Sequence, residues 1–415
     1  MGRITAFRSL ILATAMIASV SLVSADWNEG LTAFDAENYQ VAAEHFAEIT
    51  RTNPSWSGGF YMLGRCQSEL DHGTEAIENL QKAYDLDSSD ADIVIALSRE
   101  LMSAENFAET REILDSTTVD LLPPALRSEA TALLATAMLE EGDAQEAIGF
   151  LQKCLGGDGA NAALFRLLGT AHALEGDHEE AFRSYSEAFE LGSDESSGEA
   201  ATRAALSLAG AAPEADRKTE WYGHALEIGS RLATLFPKED HDLIAGRAAL
   251  GAEDFEAAEK WFQAARSKNE SDPETRYFLG RSLTGLGRDN EAYDTFSAAL
   301  AIAPDDGLAR RIHGRMGQID ACRLDLDTAA KHYLSAGKTD RAEEIGALAD
   351  EFSEALAQLE KHRSNVAEIQ QMERDLAELG DAQGVTAMRE RAAAEQTKIN
   401  EIEDNLEAVR TALCG

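Results

Sequence analysis

The sequence is poor in proline and in basic residues, and each shortage narrows the range of folds and functions. With 7 prolines in 415 residues and no runs of alternating β-branched side chains, the chain favours helices joined by short turns over strands. Lysine and arginine number 37 against 75 acidic residues, so the net charge is −38. Because such a surface repels phosphate groups, we expect no binding to nucleic acid or to an anionic membrane surface.

Motifs that carry catalysis or bind metals are also missing. The 9 histidines are scattered along the chain, and there is no HExxH, CxxC or nucleophile-elbow sequence. The run that contains Asp85, Asp87, Asp90 and Asp92 lacks the glycine and the closing glutamate of a calcium loop, which favours a polar turn between helices. The sequence therefore predicts no enzymatic activity, no cofactor and no metal site.

What the sequence does contain is an internal repeat with a fixed period. The same number of residues separates the two members of each recurring pair, and these pairs are Gly30–Gly64, Ala42–Ala76 and Ile49–Ala83. A small residue at Gly64 allows one helix to approach another closely, and self-similarity at a period of about 34 residues is typical of arrays of helix pairs. We identify about nine such repeats between positions 26 and 338. At 196–238 the period breaks, and we expect a degenerate sixth repeat with longer helices on either side of Pro213.

The pattern of small, large and aromatic positions resembles the tetratricopeptide repeat (TPR) over most of the chain. The resemblance implies an all-α fold, a TPR-like α-solenoid in which helix pairs form a right-handed superhelix. It also implies a non-enzymatic scaffold for protein–protein interactions, which binds a peptide or protein segment in a concave groove. Exported proteins of this kind suggest a setting in the bacterial cell envelope.

In the family that the sequence resembles, first-helix side chains line the concave groove. The residue after the small position is arginine in five repeats, namely Arg65, Arg99, Arg247, Arg281 and Arg315. On the same helix face, four residues earlier in their repeats, lie Tyr61, Tyr277, Arg311 and, in the fifth repeat, Arg166. Two interpretations stay open: the arginines bind carboxylates of an acidic ligand, or each pairs with an acidic residue of the neighbouring repeat. The Lys and Asn pattern of the family's carboxylate clamp is not reproduced.

Beyond Thr339 the longer period gives way to a heptad rhythm of apolar positions, which predicts two long amphipathic helices at 339–415. A break at Gly380–Gly384 favours an antiparallel helical hairpin, or coiled coil, in which His362 and Glu395 meet. The apolar stripes either pack on each other within one chain or form a homo-oligomer through residues 340–413. The second case suggests an alternative function as a structural assembly factor that acts through the hairpin.

The four cysteines fall into two groups. Cys66 and Cys154 occupy helix positions where a free thiol packs as a small apolar group. The hairpin would bring Cys414 back beside Cys322, so a disulfide and a pair of free thiols are both compatible with the sequence.

The N-terminal segment 1–25 has the features of a cleaved signal peptide. Arg3 and Arg8 precede an apolar stretch from Leu10 to Val23, and small residues follow up to Ala25. The stretch is too short for a membrane-spanning helix. We therefore expect cleavage after Ala25 and a periplasmic or secreted, soluble mature protein without a membrane span.

Overall fold

The computed structural model describes residues 26–158, 161–302, 304–379 and 381–414. These residues form 21 α-helices and contain no strand, which confirms the predicted all-α fold. Residues 1–25, with the expected signal peptide, lie outside the described residues. The chain divides into two compact units between Ala212 and Pro213.

The first unit contains α1 to α12 in its described part. Their bounds are α1 (26–35), α2 (Tyr39–Thr52), α3 (Ser57–Glu69), α4 (Gly73–Leu86), α5 (Ala91–Ser103), α6 (Phe107–Ile113), α7 (Ser116–Leu121), α8 (Pro124–Glu140), α9 (Ala144–Asp158), α10 (Ala162–Glu175), α11 (His178–Gly192) and α12 (Glu195–Ala211). Successive helices pack against each other, as expected for a stack of helix pairs.

The second unit contains α13 to α21. Their bounds are α13 (Ala215–Leu235), α14 (Glu239–Gly251), α15 (Phe255–Lys268), α16 (Pro273–Gly285), α17 (Asp289–Ala301), α18 (Asp306–Cys322), α19 (Leu326–Ser335), α20 (Thr339–Glu378) and α21 (Ala382–Cys414). The segment expected to form a sixth repeat is divided between the units, since α12 packs on α11 and α13 packs on α14.

Each regular helix pair is held by a small residue of its first helix against a large side chain of its second. A methyl group at Gly64 would lie 2.7 Å from Leu80 Cγ, and one at Gly280 would lie 2.5 Å from Phe296 Cε1. Leu80 and Phe296 are fully buried, with at most 1% of their surface exposed. The structure confirms that Gly64 permits close approach of the two helices.

The turns inside the helix pairs show the same period in the backbone. One residue per turn has a positive φ, and these residues are Glu37, Asp71, Glu105, Gly142, Gly176, Glu253, Gly287 and Leu324. Where the repeat is regular, as from Glu37 to Asp71, the step matches the period of the sequence. The step is longer between Glu105 and Gly142, where the short helix α7 is inserted, and again between Gly287 and Leu324.

The second insertion changes the register of the ninth repeat. The predicted row of arginines puts the small position at Gly314, directly before Arg315, and this prediction is wrong, because the nearest atoms to a methyl group there would be those of Lys338 and Ala336, at 3.5 Å or more. Gly317 takes this position instead, and its added methyl would lie 3.4 Å from Tyr333 Cδ1. The insertion lengthens α18 to 17 residues.

Aspartates at the junctions between helix pairs cap the next helix. The side chain of Asp90 accepts hydrogen bonds from the backbone N–H groups of Asp92 and Ile93 at the start of α5. Asp272 and Asp305 cap α16 and α18 in the same way. Each such cap stabilises its helix by about 1 kcal/mol.

Helices α20 and α21 pack antiparallel along each other and bury Leu359, Ile369 and Ile399. His362 Nδ1 lies 2.6 Å from Glu395 Oε2, which confirms the predicted meeting of these two residues. Hydrogen bonds from His362, Lys398 and Asn365 lower the pKa of Glu395 to about 2. None of the helices in the described ranges combines the length and apolar character needed to cross a bilayer.

The left-handed turn positions provide a test of this backbone geometry. Glu105 has a φ of 59°, a conformation that side chains with a Cβ adopt at a cost. We expect Glu105→Gly to raise the free energy of unfolding by about 0.5–1 kcal/mol. Ala104→Gly is the matched control, because Ala104 has a φ of −88° and should lose stability. Urea denaturation measures both, and a destabilised Glu105→Gly variant would contradict the turn assignment.

Candidate functional site

In the first unit, Arg65 and Arg99 have different surroundings. Arg65 lies on α3 with its guanidinium 4.7 Å from the ring centre of Phe34 and 5.6 Å from that of Tyr61. Arg99, on α5, makes a two-pronged ion pair with Glu129 of α8. Arg99 therefore joins two neighbouring helix pairs, as the second sequence interpretation predicts.

Arg166 is exposed on α10, and no ion pair joins its guanidinium to a carboxylate of the described residues. The charge of Arg166 helps to lower the pKa of Asp194, the residue that precedes α12 and caps it. The backbone carbonyl of Arg166 accepts a hydrogen bond from Thr170. Arg166 is therefore a solvent-exposed cation on the surface rather than part of a pocket.

In the second unit, Arg247 resembles Arg99. Its Nη2 lies 2.8 Å from Glu274 Oε1 on α16, and its guanidinium stacks 4.8 Å from the ring centre of Phe278. Both groups are close to half exposed, so the ion pair contributes less than about 1 kcal/mol. Arg247 thus also connects neighbouring helix pairs.

Arg311 and Arg315 line one cavity of the second unit, which we call the arginine pocket, and Arg281 lies next to it on the ring of Tyr277. Its volume is about 430 Å³. The polar side chains that line it are Tyr277, Arg310, Arg311, Arg315, Gln318 and Lys338. No carboxylate is among its lining residues within the described part of the chain. Four cations therefore face one cavity in a chain whose net charge is −38.

Tyr277 forms the aromatic wall of the arginine pocket. The guanidinium of Arg311 lies 5.2 Å from its ring centre and that of Arg281 lies 5.9 Å from it. Tyr277 is only 6% exposed, so its ring is a fixed surface. Cations above an aromatic face gain about 0.5–2 kcal/mol, which helps to hold the two arginines in place.

Repulsion among the arginines also affects Arg281, which lies beside the pocket. Burial lowers the pKa of Arg281, and the charges of Arg315 and Arg311 act in the same direction. Asp305 is the acidic group near Arg311 and Arg310, but its carboxylate accepts hydrogen bonds from the backbone of Leu308. An anion in the pocket would relieve this repulsion.

The sequence prediction included Arg281, Arg311, Arg315 and Tyr277, but missed Arg310 and Lys338. Arg310 precedes Arg311 in α18, and Lys338 lies in the turn before α20. Arg315 faces the pocket although it does not follow the small residue of its repeat, because Gly317 holds that position. The insertion in the ninth repeat, which lengthens α18, is the sequence signal that could have identified Arg310 and Lys338.

A polar cluster between α17, α18 and α19 was also missed, since its members are far apart in sequence. His313 Nδ1 lies 2.8 Å from His332 Nδ1, and Tyr293 Oη lies 3.3 Å from His332 Nε2. Asp320 is 3% exposed, with its Oδ2 3.6 Å from His332 Nε2 and without a hydrogen-bond partner among the described atoms.

Burial sets the protonation of this cluster. It raises the pKa of Asp320 to about 6, and Asp325 adds to the rise. Burial also lowers the pKa of His313 and of His332. The cluster thus favours neutral groups, which suits an interior joint between helices better than a site of acid–base catalysis.

The buried carboxyl provides a test with a defined pH dependence. Because the pKa of Asp320 is higher in the folded chain than in the unfolded chain, its contribution to stability falls as pH rises from about 4 to about 6. We expect Asp320→Asn to raise the free energy of unfolding by up to about 3 kcal/mol at about pH 8 and by little at about pH 4. Denaturation by urea at both pH values measures this difference.

Asp327→Asn is the control for that experiment, because Asp327 is exposed on the neighbouring α19. It should change stability little at either pH. An equal gain for Asp320→Asn at both pH values would contradict the assigned cause.

Two segments of the chain match models of a known repeat family. Residues 28–91 match one model described as "Tetratricopeptide repeat", and residues 249–316 match a second model with the same description. The second segment contains Tyr277, Arg281, Arg311 and Arg315. No curated protein matches the chain.

Several solved structures are similar to this chain. The C-terminal part of a TPR repeat-containing protein from Cytophaga hutchinsonii is 13% identical, with a TM-score of 0.49, over 61% of this chain and 99% of that one. PilF of Pseudomonas aeruginosa is 18% identical, with a TM-score of 0.41, over 57% and 97%. YrrB, described as a TPR protein with an unusual peptide-binding site, is 17% identical, with a TM-score of 0.38, over 49% and 99%.

The assignment to a family therefore depends on the two matched models and on the repeating helix pairs. The matched segments lie in different units, and both contain the small-to-large helix contact that recurs with the period of the sequence. Residues 28–91 and 249–316 of this chain are therefore tetratricopeptide repeats, a fold that generally serves protein interactions.

Proposed function

We propose that this protein is an interaction scaffold whose arginine pocket binds an acidic segment of a partner protein or peptide. The observation that carries the proposal is the cavity of about 430 Å³ lined by four cationic side chains and no carboxylate of the described residues. In the chain as a whole, the acidic residues outnumber the basic ones by two to one. A local reversal of charge of this kind favours an anionic ligand.

Carboxylates suit the geometry of this pocket. A guanidinium offers a planar fork of N–H donors that can bond both oxygens of one carboxylate. Arg311 and Arg315 are four residues apart on α18, so their two guanidinium groups lie on one face of the helix. The ring of Tyr277 supplies an apolar wall beside them for the stem of a glutamate or aspartate.

The arginines fall into two groups, those that pair with an acidic residue of a neighbouring helix pair and those at the arginine pocket. Arg99 and Arg247 join neighbouring helix pairs through Glu129 and Glu274. Arg281, by contrast, is buried beside Tyr277 and close to the charges of Arg315 and Arg311, and Arg311 and Arg315 line the arginine pocket. In the first unit, Arg65, Arg166 and Tyr61 stay secondary candidates for contact with the same partner.

The overall negative charge limits which acidic partner can bind. Repulsion from distant carboxylates is screened over about 8 Å at physiological ionic strength, whereas contacts inside the pocket are shorter than this length. A short acidic stretch at the end of a chain or in a loop would therefore bind better than a large acidic surface.

We also propose that the protein acts outside the cytoplasm, in the cell envelope. The support is the pattern of residues 1–25, in which two arginines precede an apolar stretch and small residues. In this proposal the mature chain begins at Asp26, which is the first described residue of α1.

A second function, as an assembly factor that oligomerises through the hairpin, draws on a different observation. Leu356, Met372 and Leu379 are exposed on α20 or at its end, with 44%, 47% and 81% of their surface accessible. However, Leu359, Ile369 and Ile399 are already buried between α20 and α21 of one chain. Because the main stripe is covered within the chain, we place binding at the arginine pocket first.

The arginine pocket can be tested with a defined anionic probe. We expect a fluorescein-labelled glutamate peptide to bind the wild-type protein and a glutamine peptide of equal length to bind far more weakly. Replacing Arg281, Arg311 and Arg315 together by alanine should weaken binding of the glutamate peptide at least about 30-fold, because each charge-assisted hydrogen bond contributes about 1.5–3 kcal/mol. Fluorescence anisotropy measures the three Kd values.

The matched control is Arg99→Ala combined with Arg247→Ala, which removes two cations that are already ion-paired. This variant should bind the peptide within about threefold of the wild type. Unchanged binding by the triple variant, with its helical circular dichroism intact, would eliminate the proposed site.

Export can be tested independently of binding. Expressed in a bacterial host, the full chain should appear in the periplasmic or extracellular fraction with a mass that corresponds to residues 26–415. A variant without residues 2–25 should stay in the cytoplasm. Recovery of the uncleaved chain in the cytoplasm would contradict the proposed signal peptide.

A further inference from the structure

Two cysteines far apart in sequence meet in the second unit. Cys322 is the last residue of α18 and Cys414 is the last residue of α21. Both side chains line one cavity, Cys414 is close enough to raise the pKa of Cys322, and the thiol of Cys322 donates a weak hydrogen bond to the carbonyl oxygen of Leu413 at 3.6 Å. Both are free thiols in this structure.

The two thiols lie at a cavity that small molecules can enter. This cavity has a volume of about 400 Å³ and is distinct from the arginine pocket, although Arg315 and Gln318 border both. Arg323 and Arg410 also line it, together with the carboxylate of Asp289, so positive charges outnumber negative ones and the cavity favours an anionic ligand. The other two cysteines, Cys66 and Cys154, belong to the first unit.

The two thiols differ in their surroundings, which assigns them different roles. Cys414 is exposed, whereas Cys322 is half-buried. Burial raises the pKa of Cys322 to about 12, and the nearby Cys414 adds to the rise. Because the thiolate is the nucleophile, Cys414 is the thiol that meets an oxidant first.

We propose that Cys322 and Cys414 form a reversible redox site, which closes to a disulfide and ties the end of the hairpin to the repeat array. This inference is independent of ligand binding at the arginine pocket. The partner is a disulfide of low molecular weight, such as oxidised glutathione, whose carboxylates match the arginines at the cavity.

The reaction balances in two exchange steps. First, the thiolate of Cys414 attacks one sulfur of the oxidant, forms a mixed disulfide and releases one thiol. Then Cys322 loses its proton and attacks the Sγ atom of Cys414, which releases the second thiol of the oxidant. The two cysteines lose two electrons and two protons in total, and the oxidant disulfide gains them.

The structure also indicates what the disulfide would change. The end of α21 is held by Leu413 and Val409, which pack with Ile345 and Ala321 in one apolar cluster. Residues at a helix terminus open readily when few apolar contacts hold them. A bond from Cys322 to Cys414 would close the chain segment between them and restrict this opening.

The experiment uses the wild-type full chain, reduced and then treated with oxidised glutathione. Free thiols are blocked, and the intact mass and the tryptic peptides are measured. We expect a monomer that has lost two hydrogen atoms and yields a peptide linked through Cys322 and Cys414. Hydrogen exchange at the end of α21 should slow at least about tenfold on oxidation and recover on reduction.

Single variants separate the two roles and serve as controls. Cys322→Ser should stop at a glutathione adduct on Cys414, whereas Cys414→Ser should react at least about tenfold more slowly. Cys154→Ser should behave like the wild type. A wild-type adduct on Cys414 that never resolves would overturn the proposal, as would linkage only between two chains.

Discussion

The close contact between a small residue and a large side chain sixteen positions later determines the geometry of each regular helix pair. At Gly64, Gly246 and Gly280 no methyl group fits without displacing the partner, so the two helices approach at the distance that glycine allows. The buried partner side chain removes apolar surface from water and stabilises the pair. The next residue on each of these three first helices is an arginine, namely Arg65, Arg247 and Arg281.

Charge in this protein acts in three different environments. Exposed ion pairs such as Arg247–Glu274 join neighbouring helix pairs and contribute little free energy each. The buried Asp320 loses hydration, which raises the pKa of its carboxyl to about 6. Around the arginine pocket, Tyr277 and α18 hold several positive charges close together. An anion bound there would offset their repulsion.

The ninth repeat shows how a small insertion can build a site. The insertion lengthens α18 by almost one helical turn, which moves the helix contact to Gly317 and leaves Gly314 free of it. Arg311 and Arg315 therefore face a cavity beside Lys338 rather than a second-helix side chain. The same long helix ends at Cys322, next to the last turn of the hairpin.

The sequence alone determined the helical class, the period of the repeats, the two long C-terminal helices and the meeting of His362 with Glu395, because all of these follow from local spacing and burial. It also placed Tyr277 with Arg281 on one face of a first helix and Arg311 with Arg315 on the corresponding face of the next first helix. Only the tertiary structure decided which arginines pair with neighbouring acids, since that depends on where Glu129 and Glu274 lie in three dimensions. It alone added Lys338 to the pocket and joined His313, His332 and Asp320, because contacts between separate helices leave no periodic trace in the chain.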